Sequence, residues 1–166
     1  MGYGLKQGTW NGATTLYWQL CQGKVHSRLE EAFAIWGAGT GIRFESLLPA
    51  NTNAHFRVAE AESTGWSPAI RKLSLKSSET LGVLLHEVGH LLGLSHEQDR
   101  PDARDNFYAN MQAWHLKGAI DRGAKLQEYG PYDRGSIMLY PDTNYKPMTR
   151  PSAGDFAAAR AVNGLG

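Results

Sequence analysis

The sequence predicts a single domain that mixes helices and strands, and three observations carry that expectation. Two apolar stretches repeat at three- and four-residue spacing, as helix faces do, while three shorter ones alternate residue by residue, as half-buried strands do. No internal repeat, low-complexity tract or long Pro/Gly/Ser-rich linker separates them. The 166 residues, 42% of them apolar and 20% charged, suit one domain with its own core and exclude wholesale disorder.

The elements are taken in chain order. Val25, Leu29, Phe33 and Trp36 recur at helical spacing between Lys24 and Gly37, which predicts a helix over 24–37 stopped by the glycine. Alternating pairs, Ile42 with Phe44, Phe56 with Val58 and Leu73 with Leu75, predict strands over 42–48, 55–60 and 72–76. Ser77 and Ser78 are candidate N-caps and Glu79 supplies first-turn negative charge, so a second helix is expected over 78–92 with Gly93 as its stop. Beyond Gly93 the composition turns to glycine, proline and polar residues, and irregular structure is expected apart from helices near 108–117 and 152–163.

Charge and cysteine usage narrow the function. Seventeen Lys and Arg nearly cancel sixteen Asp and Glu, a formal net charge of +1, which offers no broad attraction for nucleic acid. Cys21 is the single cysteine, which excludes an intramolecular disulfide and a zinc site built from several thiolates, so any metal needs histidine and carboxylate ligands. No stretch reaches the roughly 18 apolar residues of a membrane span, and Met1 leads into Gly, Tyr and Gly rather than a basic and then apolar leader. The chain reads as a soluble domain.

The expected second helix contains His86, Glu87, Val88, Gly89 and His90. Four residues apart on a helix, the two imidazoles share a face and can hold one ion. Glu87 comes directly after the first histidine, and in this arrangement its carboxylate reaches the water that the metal activates and acts as general base. Gly93 comes three residues after His90 and can reverse the chain, sending His96 back to the same ion. Three imidazoles leave a position open for water, the mark of catalytic rather than structural zinc. Paired histidines on a helix are often mere surface groups, but three histidines, a glutamate and a glycine at the required spacings single out one Zn2+ per chain. His26, His55 and His115 have no such spacing and read as ordinary histidines.

The string from His86 to His96 is the extended zinc signature of the metzincin metallopeptidases, and the residues beyond it resemble the astacin family. Glu97, Arg100, Asp102, Arg104, Asp105 and Asn106 are similar to that family's Glu/Arg/Asp run after the third histidine, and Tyr132-Asp-Arg-Gly-Ser136-Ile-Met138-Leu-Tyr140 resembles its Met-turn. Weaker similarity covers Trp10 to Trp18, Ile42 to Phe44 and Pro151 to Asp155. The chain departs from the pattern at Ala103, an extra residue, and at Phe107 and Leu139.

The resemblance implies an α+β fold, a twisted sheet backed by two long helices over an irregular lower half, with the cleft between them. One metallopeptidase domain would span 1–166, its halves dividing near 93 and 94. A secreted, compact, microbial enzyme acting on protein or peptide substrates is the implied setting. By resemblance Met138 packs beneath the metal, and Tyr140 ligates zinc at rest and then swings to stabilise the oxyanion, for which a phenol hydroxyl is chemically suited. Glu97 would receive, directly or through water, the ammonium of a mature N-terminus. A run such as Glu97 to Asp105 is otherwise most often a solvated loop. Lys146 and Arg150, after the Met-turn, are the candidate bases for an acidic residue just beyond the scissile bond. The rival reading is a catalytically silent peptide-binding module, against which the presence of Glu87 argues.

Overall fold

The computed structural model describes residues 2–5, 10–48, 51–100, 102, 126–139 and 148–166. Five strands form a mixed sheet in the spatial order β3-β2-β4-β6-β5: β2 (Thr15–Gln22), β3 (Arg43–Ser46), β4 (Phe56–Glu60) and β6 (Lys72–Leu75) are parallel, and β5 (Gly65–Ser67) closes one edge antiparallel to β6. A separate antiparallel pair joins β1 (Tyr3–Leu5) to β7 (Leu126–Glu128). Helices α1 (Leu29–Thr40) and α2 (Leu81–Leu91) pack on each other and on the sheet, and α3 (Ala153–Val162) packs on α1 and β1. This is the α+β architecture expected. The strands expected over 42–48, 55–60 and 72–76 form within those limits, whereas β1, β5 and β7 were not foreseen, being three residues each and too short for any period to register.

Helix α1 begins at Leu29 and runs through Gly37 to Thr40, later at both ends than the pattern suggests. Gly37 stays helical because its bare Cα faces the backbone: a Cβ there would stand 2.8 Å from the Ile42 carbonyl. The left-handed stop falls instead on Gly41, with φ +81°, whose N–H closes on the Gly37 carbonyl. The buried stripe Leu29, Ala32, Phe33 and Trp36 meets a core that includes Leu16, Trp18, Phe56, Leu84, Leu85 and Val88. Phe33 stacks face to face on Phe44 at 4.3 Å, joining α1 to the edge strand β3.

Helix α2 starts at Leu81 because Glu79 N–H bonds back to the Lys76 carbonyl, which spends residues 76–79 on a turn. Thr80 is therefore the N-cap, its hydroxyl accepting from Val83 N–H, rather than Ser77 or Ser78. At the other end Gly93, φ +92°, donates to His90 O, and Leu94 N–H reaches Gly89 O, the paired bonds of a Schellman turn. The Trp10 indole N–H donates to Leu91 O and the Asn163 amide to Leu92 O, so carbonyls left over by the helix end are met inside the core. The Trp36 indole N–H reaches Leu85 O. Ser152 and Asp155 form the reciprocal capping box that starts α3, in line with the helix expected over 152–163. The helix expected near 108–117 lies outside the described residues.

Candidate metal centre

His86 and His90 lie one turn apart on α2, and the Schellman turn at Gly93 folds the chain so that His96 joins them. One ring nitrogen from each lies within 4.8 Å of the others, which makes these three the one metal-competent cluster among the described residues. His86 Nδ1 stands 2.8 Å from Ile137 O and His90 Nδ1 2.8 Å from Leu94 O. A carbonyl only accepts, so both Nδ1 atoms carry hydrogen, and each neutral ring keeps its Nε2 lone pair for the centre. His90 Nε2 and His96 Nε2 are 3.1 Å apart. Tetrahedral zinc with bonds of about 2.0–2.1 Å sets its nitrogens about 3.3 Å apart, so the donors fit. Burial holds the His86 imidazole below the usual histidine range, with the Ile137 carbonyl working against it. The favoured neutral ring is the ligating form. His96 Nδ1 is 3.5 Å from the Asp99 carboxylate, which orients the third ring.

Glu87 follows His86 on α2, and its Oε2 accepts the Trp66 backbone N–H at 2.9 Å. One carboxylate oxygen is thus tied to the edge strand β5. Burial raises the carboxyl above the ordinary glutamate range, the Trp66 bond lowers it and the Glu79 charge adds to the rise. A raised but anchored carboxyl is what a proton acceptor in a cleft needs.

Residues 97–100, directly after His96, are not a solvated loop. Glu97 and Arg100 are fully buried. The Arg100 guanidinium donates to the carbonyls of Gly2 and Gly130 and, at 2.7 and 2.9 Å, to the Asp102 carboxylate. It thereby pins the β1–β7 pair to the end of the string that carries the three histidines. Glu97 Oε1 accepts from Asp133 N–H, while Oε2 is buried beside Gly2 with no hydrogen-bond partner among the described residues. Burial pushes this carboxyl up to about 7, against the pull of the Asp133 N–H and Arg100.

Met138 lies beneath the site, buried against α2 at Gly89, where an added Cβ would collide with the Met138 sulfur and stand 3.3 Å from the Trp36 ring. Sequence reasoning passed over Gly89, although a mid-helix glycine between two ligands was itself a signal: it costs about 0.5–1 kcal/mol against alanine and wants a packing reason. It also passed over the Trp66 N–H and Asp155, whose partners are distant in sequence. Leu139 is largely buried and Arg150 exposed. His26 and His55 stand apart from the triad, each accepting a backbone N–H at Nδ1. Tyr140, Lys146, His115, Ala103, Phe107 and residues 104–106 lie outside the described residues.

The family model for Astacin, a family of peptidases, matches residues 5–152. Zinc metalloproteinase nas-19 of Caenorhabditis elegans is 31% identical over 149 residues, covering 83% of this chain and 37% of that protein. Zinc metalloproteinase nas-36 of Brugia malayi is also 31% identical, over 72% of this chain and 22% of its own length, so the chain spans well under half of these relatives. Among solved structures, myroilysin superposes with a TM-score of 0.66 at 20% identity, covering 95% of this chain and 96% of that one. The hatching enzyme HCE-1 of Oryzias latipes gives 0.59 at 20% identity over 93% and 91%. The fold is that of these proteases, and with a family model that spans nearly the whole sequence, this chain belongs to the astacin family.

Proposed function

We propose that the chain is a zinc endopeptidase domain, in which His86, His90 and His96 hold one Zn2+ and Glu87 is the general base. The observation that carries this reading is the joint geometry of two rings locked as ligating tautomers and an anchored carboxylate on the same helix. Bound zinc supplies a Lewis acid that lowers the pKa of water toward about 7 and polarises a carbonyl. Glu87 accepts the proton from the water that attacks the scissile carbonyl and returns it to the leaving amine. Its tether to Trp66 N–H leaves Oε1 as the oxygen for that transfer. By the role its family position implies, the Tyr140 hydroxyl would donate to the oxyanion and would be a further group able to hold the metal in the resting enzyme. No nucleophilic side chain is required, and the exposed Cys21 plays no part.

The unit of function is one catalytic domain over 1–166, with protein or peptide substrates crossing between the sheet and the part beyond Gly93. Glu97 Oε2, buried beside Gly2 and without a hydrogen-bond partner among the described residues, supports docking of an N-terminal ammonium there. Secretion is the setting that the family suggests, and no helix among the described residues is long and apolar enough to cross a membrane. Incubation with denatured protein tests the reading: cleavage that a zinc chelator abolishes and added zinc restores supports it. Peptide binding without cleavage overturns it.

A further inference from the structure

The ligands are held from behind by one short segment. His86 Nδ1–H donates to Ile137 O, and Glu97 N–H, next in the chain to His96, donates to Met138 O at 3.2 Å. Successive carbonyls of a single loop therefore set the orientation of the first ligand and the path of the third. A backbone carbonyl has no side chain of its own to fix it, so what holds this loop decides how firmly the metal is held.

One buried side chain does so. Asp155, fully enclosed at the start of α3, accepts Ile137 N–H at 2.8 Å on Oδ2 and the Ser136 hydroxyl at 2.6 Å on Oδ1. The same Ser136 oxygen accepts Met138 N–H at 3.0 Å. The Ile137–Met138 peptide, whose carbonyl serves His86, thus hangs from the Asp155 carboxylate through the Ser136 hydroxyl, and the next peptide, whose Met138 carbonyl serves Glu97, is held by Leu139 N–H on the carbonyl of that same Ser136. Oδ2 also takes Ser152 N–H, while Ser152 Oγ accepts Asp155 N–H and donates to Asp133. Capping of α3 and support of the two carbonyls therefore meet at Asp155 but are separable: the Ser152 hydroxyl serves the cap and Asp133, not Ser136, Ile137 or Met138.

We propose that Asp155 is a positioning residue for the metal, acting through Ile137 N–H and Ser136 on the loop whose Ile137 and Met138 carbonyls hold His86 and the His96–Glu97 segment. The inference rests on the reading of the triad as the zinc site. Loss of a group behind a ligating histidine typically lowers metal affinity about 10- to 100-fold, and Asp155→Ala should weaken zinc binding by about tenfold. Asp155→Asn keeps one oxygen for Ile137 N–H and should stay within about threefold of the native affinity. Ser152→Ala removes the N-cap hydroxyl and lowers thermal stability, yet should leave affinity unchanged.

The experiment is competition of the full chain and its variants against a chromogenic zinc chelator, with the Co2+ absorption spectrum as a readout of ligand geometry and thermal unfolding run in parallel. A tenfold loss and an altered Co2+ spectrum in Asp155→Ala, absent from Ser152→Ala and restored in Asp155→Asn, support the proposal. Native affinity in a folded Asp155→Ala, or equal losses in Ser152→Ala, overturn it. Should Asp155→Ala not fold, Asp155→Glu takes its place: it keeps a favoured capping-box residue but carries the carboxylate past Ile137 N–H, and native affinity there overturns the proposal equally. Failure of the unsubstituted chain to bind zinc defeats the reading of the site instead.

Discussion

The contact between Gly89 and Met138 yields a prediction that changes with its background. An alanine methyl at position 89 would occupy the space of the Met138 sulfur and press on Trp36. In an open helix Gly→Ala gains about 0.5–1 kcal/mol, but forcing a methyl into a closed core costs about 1–3 kcal/mol. Gly89→Ala should therefore destabilise the chain by about 1 kcal/mol. Met138→Ala alone opens a cavity in a buried site and should cost about 2–5 kcal/mol. In that background the collision with the sulfur is gone, only the contact with the Trp36 ring remains, and the helix preference favours alanine, so adding Gly89→Ala should now be neutral or stabilise by up to about 1 kcal/mol. The double-mutant cycle then shows a coupling of about 1–3 kcal/mol. Urea unfolding of the four proteins, both chelated and zinc-saturated because bound metal adds its own stabilisation, measures it. A neutral or stabilising Gly89→Ala in the native background, or additive effects in the cycle, would refute the packing argument.

Three further outcomes are expected. Tyr140→Phe should lower kcat about 100- to 1,000-fold with little change in KM, and full turnover in steady-state kinetics would remove the hydroxyl from the mechanism. Burial raises the Asp155 carboxyl above its ordinary value, against the bonds from Ser136, Ser152 and Ile137. The folded state thus binds the proton more tightly, and the stability this contributes is present below the unfolded value of about 3.9 and lost as pH rises through the folded value. Asp155→Asn should accordingly gain on the native chain as pH rises from about 3.5 toward neutrality, and the opposite slope in pH-dependent unfolding would show that the three bonds outweigh burial. A peptide-library profile should favour Asp or Glu just after the scissile bond and lose that preference when Lys146 and Arg150 are both neutralised; a profile indifferent to either would dismiss those bases.

Distance along the chain set how much of the fold the sequence disclosed. The helix faces through Phe33 and Trp36 and through Leu84, Leu85 and Val88 were legible because helical repetition is local, and so was the turn at Gly93. The stop of α1 was misplaced at Gly37 because two glycines compete there, and what decides is the approach of the Ile42 carbonyl, a tertiary fact. The triad was legible in full, since a helix and one reversal generate its spacing. Its supports were not: Ile137 O behind His86, Trp66 N–H on Glu87 and Asp155 beneath the loop are all long-range, and two of them use backbone atoms that no residue type advertises. Arg100 and Glu97 carried the opposite bias, because charged runs are usually solvated. Here they are buried, and the Arg100 guanidinium bonds two carbonyls and a carboxylate.

The central claim, that hydrolysis depends on one zinc held by this triad and on a base beside it, is tested most directly by titrating zinc into the chelated protein while following both bound metal and peptide cleavage, for the native chain and for Glu87→Ala. Cleavage by the native chain should rise in step with occupancy and saturate at about one zinc per chain, while Glu87→Ala fills to the same level and stays nearly silent, with every ligand present but nothing placed to take the proton. Cleavage that persists without zinc, or a zinc-loaded Glu87→Ala that remains substantially active, would contradict the account.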